Sequence, residues 1–236
     1  MAIIILSVMG RAFSGGPSPY PRNPFDGPRN TFPETQVNSF NVGDSPTLIM
    51  NDDFGTITIQ TGEVRKITVQ NSRDISGDIS VQPQTDSNTL TITVSGNDLK
   101  DQNADITVIV PQNTSLQLQD NGGDINVNDV SGQMSLTTQG GSINMNNDAL
   151  SGQSSITTDS GSITFDGTLD RAGNYRFQTR SGGITATIPS DSNVQIHQSH
   201  GTGSFNNNFP GTSIGNSPQA SLTLTTNSGS INVNQQ

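Results

Sequence analysis

Leu116-Gln117-Leu118-Gln119-Asp120-Asn121-Gly122-Gly123-Asp124-Ile125-Asn126-Val127 is the stretch from which the architecture follows. Leu116 and Leu118 alternate with glutamines, and Ile125 and Val127 flank an asparagine, so each half has the period of two that gives a strand one buried and one wet face. Between the halves, a short polar turn ends in Gly123. A glycine there suits a corner whose backbone is left-handed or too crowded for a Cβ. The stretch therefore reads as strand, corner, strand.

The same unit recurs as Leu48, Met50, Gly55, Ile57, Ile59 and as Met134, Leu136, Gly141, Ile143, Met145. It continues through Ile156, Gly161, Ile163, Phe165, then Tyr175, Phe177, Gly182, Ile184, and closes with Leu222, Leu224, Gly229, Ile231, Val233. Weaker copies surround Gly77, Ala104 and Gly203. Marker glycines lie about twenty residues apart in the second half of the chain, a spacing suited to stacked repeats. The pattern predicts an all-β fold: a single-stranded β-solenoid, a β-helix-like stack of short strands with one rung per repeat. Stacking turns each position into a ladder. Ile125, Ile143, Ile163, Ile184 and Ile231 form one expected inner column, with Val127, Met145, Phe165 and Val233 beside it. Asp120, Thr138, Thr158, Thr179 and Thr226 form another at the corner, where hydroxyls can bond turn backbone. Asn126, Asn144, Thr164, Thr185 and Asn232 form a polar column on the outside.

Composition fits a lean, polar repeat. Of 236 residues only 29% are hydrophobic and 13% charged, with 25 glycines. The net charge is −10, and the ten basic residues are scattered, Arg65, Lys66 and Arg73 being the nearest to a cluster. A phosphate backbone needs a concentrated positive face, so nucleic acid is not an expected partner. With no cysteine, disulfides, thiolate catalysis and Cys-based zinc sites are excluded together.

Residues 1–9, Met1 to Met9, are apolar but fall short of the ~20 residues of a membrane-spanning helix. They read either as the tail end of a membrane anchor or as a plain hydrophobic strand or tag. Residues 10–40 carry Pro17, Pro19, Pro21, Pro24, Pro28 and Pro33 among Gly, Ser and Asn, the composition of a semi-rigid linker. The repeat body is expected over residues 41–236. An apolar start, a spacer and a folded body suit a tethered surface domain.

The opening Leu-x-Met-x-Asp-x-x-Gly-x-Ile-x-Ile from Leu48, followed by Ser-Gly-Ser-Ile and Gly-Asp-Ile repeats, resembles the bacterial putative-adhesin domain family, over roughly Phe40 to Gln236. The resemblance implies a β-solenoid, often right-handed, in the cell envelope or outside the cell and commonly after a membrane segment. It brings no catalytic residues with it.

Other candidates for chemistry are few. Asp78, Asp105 and Asp124 follow the marker Gly or Ala, so stacked carboxylates in adjacent rungs would offer oxygen ligands to calcium; the alternative is three carboxylates facing water. Gly122-Gly123-Asp124 does not extend into the nonapeptide calcium repeat. His197 and His200 sit three apart and would face opposite ways on a strand, so they would join in a metal site only around a turn. Asp159 with Asp166 or Asp170 is the carboxylate pair a polysaccharide-cleaving β-helix would use. With no Trp and only Tyr20 and Tyr175, the latter on an inward ladder, aromatic platforms for sugars are scarce. Thr89, Thr91, Thr93 and Thr223, Thr225 suggest an ice-binding face, but they are read as not sharing one repeat position. Finally, the chain ends soon after Val233, so the last rung is expected to expose an open edge for self-association unless the Phe209 to Pro218 insertion covers it. The leading functional expectation is a non-catalytic structural or adhesive module with a cell-surface or matrix partner. A glycan- or calcium-binding module comes second, and a polysaccharide-active enzyme third.

Overall fold

The computed structural model describes residues 36–53, 55–71, 78–84, 88–95 and 105–236. The apolar residues 1–9 and nearly all of the proline-rich segment lie outside them. The fold is all-β, as the alternation requires, and is laid out as an eleven-stranded and a ten-stranded sheet.

Most rungs give one strand to each sheet. After β1 (Gln36–Asn41), the first rung is β2 (Thr47–Asp52) with β3 (Ile57–Thr61); β4 (Lys66–Asn71) and β5 (Asp78–Gln84) follow. The second rung is β6 (Thr89–Ser95) with β7 (Ile106–Val110), and the third is β8 (Ser115–Asp120) with β9 (Ile125–Asn128). After the short β10 (Ser131–Gly132), the fourth is β11 (Met134–Thr138) with β12 (Ile143–Leu150). The fifth is β13 (Gln153–Ser160) with β14 (Ile163–Leu169), and the sixth is β15 (Asn174–Ser181) with β16 (Ile184–Ile188). The seventh is β17 (Val194–Thr202) with β18 (Phe205–Asn207); β19 (Ser213–Ile214) precedes the eighth, β20 (Ala220–Ser228) with β21 (Ile231–Gln235). β1 begins inside the segment whose prolines suggested a linker: its Phe40 packs against the core, which anchors the strand.

Consecutive rungs stack in parallel, but not in chain order. The first rung lies between the second and the third, because β2 pairs with both β6 and β8 and β3 with both β7 and β9. The eighth lies between the sixth and the seventh, because β20 pairs with β15 and β17 and β21 with β16 and β18. This corrects the expectation of an open edge at the last rung, which is interior. The end of the stack is β17 and β18. There the insertion does provide cover: β19 pairs antiparallel with Val194 and Gln195, and Phe209 and Ile214 are buried. At the opposite end, β4 lies antiparallel on β7 and carries β1, while β5 lies antiparallel on β6.

The expected inner columns are present. Ile57, Ile125, Ile143, Ile163, Ile184 and Ile231 are fully buried in one ladder. Phe165 meets Phe177 edge to face at 5.5 Å. Burial of each such aliphatic or aromatic side chain is worth roughly 1.5–3 kcal/mol, which offsets the chain entropy of so polar a sequence.

Crowding more than dihedral freedom explains the marker glycine. A Cβ at Gly141 would lie 1.9 Å from the Gly123 carbonyl oxygen, and one at Gly161 would lie 2.2 Å from the Gly141 oxygen. At Gly55, Gly182, Gly203 and Gly229 the backbone adds its own demand, with φ of 124°, 155°, 135° and 148°. The carbonyls so exposed are used by the threonine column: Thr138 Oγ1 donates to Gly123 O (2.9 Å), Thr158 to Gly141 O (2.8 Å), Thr179 to Gly161 O (2.8 Å) and Thr226 to Gly182 O (2.9 Å). The fourth, fifth, sixth and eighth rungs are thus bolted to a neighbour at the corner by a buried side chain as well as by the strand ladder.

Candidate functional site

The acidic candidates do not gather. The column after the glycine corner runs Asp105, Thr56, Asp124, Ser142, because the first rung is inserted between the second and third. Thr56 therefore separates the two carboxylates, and each accepts a backbone N–H: Asp124 Oδ1 from Ser142 at 2.7 Å and Asp105 Oδ1 from Thr56 at 3.2 Å. Asp78 lies in the other sheet, where it pairs with Ser95. Stacking of the three in adjacent rungs is thus corrected. Among the described residues, no three Asp, Glu or His side chains converge in a way that would hold a metal ion.

The histidines separate as strand geometry demands. His197 is exposed beside Thr223, while His200 continues the threonine column beside Thr226 at the end rung. Asp159 faces Arg180 at 3.3 Å from the ten-stranded sheet, whereas Asp166 belongs to the eleven-stranded sheet and accepts from Gln236. Asp170 follows β14, and its carbonyl, like that of Leu150, takes the Tyr175 hydroxyl, at 3.0 and 2.9 Å. Burial, then the nearby Asp170 charge, pushes that phenol up to about 12, so it acts as a fixed donor. Asp159 and Asp166 thus sit on different sheets, and Asp170 lies past the end of β14.

Register also revises the threonine reading. Following the strand pairings, Thr91 shares a column with Thr223, and Thr93 shares one with Thr225. Gln117, Ser135, Ser155 and Arg176 interrupt the first, so no continuous threonine array forms.

Among the described residues three carboxylates are buried: Asp52 and Asp120 in the corner column, and Asp148, which escaped the repeat pattern. Asp120 is fully buried at the head of the threonine column beside Asp52; burial raises its pKa, against which the N–H groups of Gly122 and Gly123 bond its oxygens at 2.9 and 3.0 Å. Asp148 is only 1% exposed. It follows a bulge in β12, where Asn147 has φ of 57°, and its Oδ1 accepts the Val130 N–H at 2.7 Å. Burial pushes it up to about 7. Only a break in the alternation at Asn146-Asn147-Asp148 marks it in sequence.

The outer surface is broad, and its strand faces are mostly uncharged amides and hydroxyls with scattered carboxylates. Shallow open grooves of about 410 and about 560 Å³ cross it, the first lined by Gln133, Gln153, Asn174, Arg176 and Thr223, the second by Asn113, Ser131, Leu150, Thr168 and Asp170. On the eleven-stranded sheet the polar column expected from Asn126, Asn144, Thr164, Thr185 and Asn232 is in register and extends to Asn206, Thr58 and Thr107. A second outward column, not foreseen, runs through Asn128, Asn146, Asp166, Thr187, Asn234 and Asn208.

Comparison with known proteins fits this geometry. The family model Toastrack DUF4097 matches residues 97–234, more than half of the chain. The chain belongs to the Toastrack DUF4097 family. Among solved structures, this Toastrack chain is similar to a putative cell adhesion protein from Clostridium sporogenes ATCC 15579, at 15% identity and a TM-score of 0.51, covering 86% of this chain and 100% of that one. It also matches a putative adhesin from Bacteroides fragilis NCTC 9343, at 13% identity, TM-score 0.32 and 85% and 97% coverage. A putative lipid binding protein from Parabacteroides distasonis ATCC 8503 follows at 15% identity, TM-score 0.32 and 84% and 96% coverage. At these identities the likeness to the first concerns the fold. None of the curated proteins compared matches the chain. No helix among the described residues is long and apolar enough to cross a membrane.

Proposed function

We propose that this Toastrack chain is a non-catalytic adhesive module displayed at the cell envelope or outside the cell, held by its N-terminal segment through the proline-rich spacer. The observation that carries this reading is the outer face of the eleven-stranded sheet: a lattice of amides and hydroxyls, interrupted by the carboxylates of Asp105, Asp124 and Asp166 and backed by an unbroken core. Such a face suits contact with an extended surface better than the enclosure of a substrate. The adhesion name carried by the Clostridium sporogenes neighbour, which shares the fold, supports it.

The reading invokes no calcium: of the carboxylates expected to bind it, Asp105 and Asp124 are separated by Thr56 and Asp78 lies in the other sheet. Fractionation of the native cells, with adherence measured before and after deletion of the gene, tests the proposal. Protein in the envelope or medium and lowered adherence are the expected result. A cytosolic product with unchanged adherence would overturn it.

A further inference from the structure

The two outward columns of the eleven-stranded sheet are braced at three of their steps by bonds between side-chain amides. Asn144 Nδ2 donates to Asn126 Oδ1 at 3.0 Å, Asn206 Nδ2 to Asn232 Oδ1 at 2.9 Å, and Asn208 Nδ2 to Asn234 Oδ1 at 3.1 Å. A primary amide has two N–H donors and two lone pairs on its oxygen. A ladder bond uses one donor of one amide and one lone pair of the next, so further donors and acceptors remain directed at solvent. Their orientation is already fixed, which lowers the rotamer entropy that binding would cost.

The chemistry of these columns narrows the partner. The second column continues from Asn128 to Gln60 and Ile109, its one apolar residue; Asp166 is the one charge in the two columns and Asp105 and Asp124 the charges beside them, all negative, so there is no positive field for nucleic acid or anionic lipid and no apolar centre of the kind that anchors protein interfaces. The face is a sheet rather than a cavity. Its groups repeat at ~4.8 Å from rung to rung and at roughly 6.5–7 Å between alternate residues of a strand. A two-dimensional grid of neutral donors and acceptors matches a surface that itself repeats and is dense in hydroxyls.

We infer that the outer face of the eleven-stranded sheet is a docking surface for an insoluble neutral polysaccharide. This rests on the adhesive reading and names its partner. The outer face of the ten-stranded sheet is less suited, since Arg176 stands in it, bonded to Gln178, and open grooves interrupt it.

The test uses the full chain with microcrystalline cellulose and chitin particles as probes, scoring depletion of protein from the supernatant. Wild-type protein is expected to bind at least one of them, equally at low salt and in 1 M NaCl, because neutral contacts are not screened. T164K/T185K, which places two ammonium groups mid-face, is expected to lose at least tenfold in binding, while T157K on the opposite face binds as wild type. Thermal melts of both variants establish that the fold is retained. Absence of wild-type binding to both particles, loss of binding at high salt, or equal effects of the two variants would overturn the inference. The adhesive reading is scored separately: cells displaying T164K/T185K that adhere like wild type sink only the docking face, whereas wild-type cells that do not depend on the protein for adherence sink the reading beneath it.

Discussion

Thr226 donates its hydroxyl to the carbonyl of Gly182 at 2.9 Å across forty-four residues of sequence, whereas Thr179 makes the same bond to Gly161 across eighteen. The longer span is the signature of the inserted eighth rung. An intervening rung, the seventh, has been displaced to the end of the stack. Its side chains suit that place: Gln198 lies in register with Leu224, His200 with Thr226, and Asn207 with Val233. Gln198, which would be unsatisfied inside the core, is exposed at the end, and Asn207 is satisfied there by the Gly211 carbonyl and the Phe209 N–H, so a polar edge replaces the apolar one that further stacking would need.

If the eighth rung is interior, Leu224→Ala should cost as much as any core truncation, about 2–5 kcal/mol, by loss of buried area and a residual cavity. Gln198→Ala, at the same position one rung further out and exposed, should change stability by less than about 0.5 kcal/mol. Urea melts of the two variants check this. Equal small effects would mean that the eighth rung is the end of the stack.

The corner makes a second contrast available. Gly141→Ala drives a methyl group to 1.9 Å from the Gly123 carbonyl oxygen, a backbone atom held by the Thr138 hydroxyl, so neither partner can yield cheaply. We expect a loss above about 3 kcal/mol or failure to fold, as for strain at other special backbone sites. Gly211→Ala meets nothing within 4 Å and should be close to neutral. A comparison of melting temperatures separates crowding at the corner from a general intolerance of the loops.

The corner hydroxyl has its own share. Thr158→Val keeps the shape but removes the donor to the Gly141 carbonyl, leaving a buried acceptor unpaired at a cost of about 1–3 kcal/mol. Thr158→Ser keeps the donor and loses one methyl, so it should cost no more than about 1 kcal/mol. If the two substitutions prove equally costly in denaturant titration, packing and not the hydrogen bond holds the rungs at this point.

Much of this was legible in advance. Period-two alternation fixes which residues face inward, so the isoleucine ladder, the threonine column and the asparagine column could be read directly from Leu116 to Val127 and its copies. The order of the rungs could not, because any rung's backbone can pair with any other's; only side chains discriminate. The discriminating signal was the set of polar residues Gln198, His200 and Asn207 at positions where other copies carry Leu, Thr and Val. The same oversight, at the other end, put Asp105 next to Asp124 in the reading and Thr56 between them in the fold. Asp148 was missed for a different reason: the bulge at Asn147 shifts the register by one residue, so a position that counts as outward by alternation turns into the core.

That buried carboxyl makes stability depend on pH in a direction opposite to a salt-bridged acid. Asp148 ordinarily would lose its proton near 3.8, and does so in the unfolded chain; in the fold, burial first of all, with the facing Asp129 charge adding to it, holds the proton to about 7. The N–H groups of Val130 and Asn146 oppose this only in part. The unfolded chain therefore releases the proton first as pH rises, and the contribution of this site is fully present below about pH 4, declines between there and about 7, and is flat above. The interval corresponds to at most roughly 4 kcal/mol. Asp120 acts in the same direction at the corner, so the measurement is the difference between wild type and Asp148→Asn. The amide keeps an oxygen for the Val130 N–H and cannot ionise. We expect the variant to be the more stable protein at pH 8, and the gap to close or reverse at pH 4, where the native acid is neutral and loses nothing. Parallel stability curves for the two proteins from pH 4 to 8 would show that water reaches Asp148 in the native state and that the bulge is no barrier to its charge.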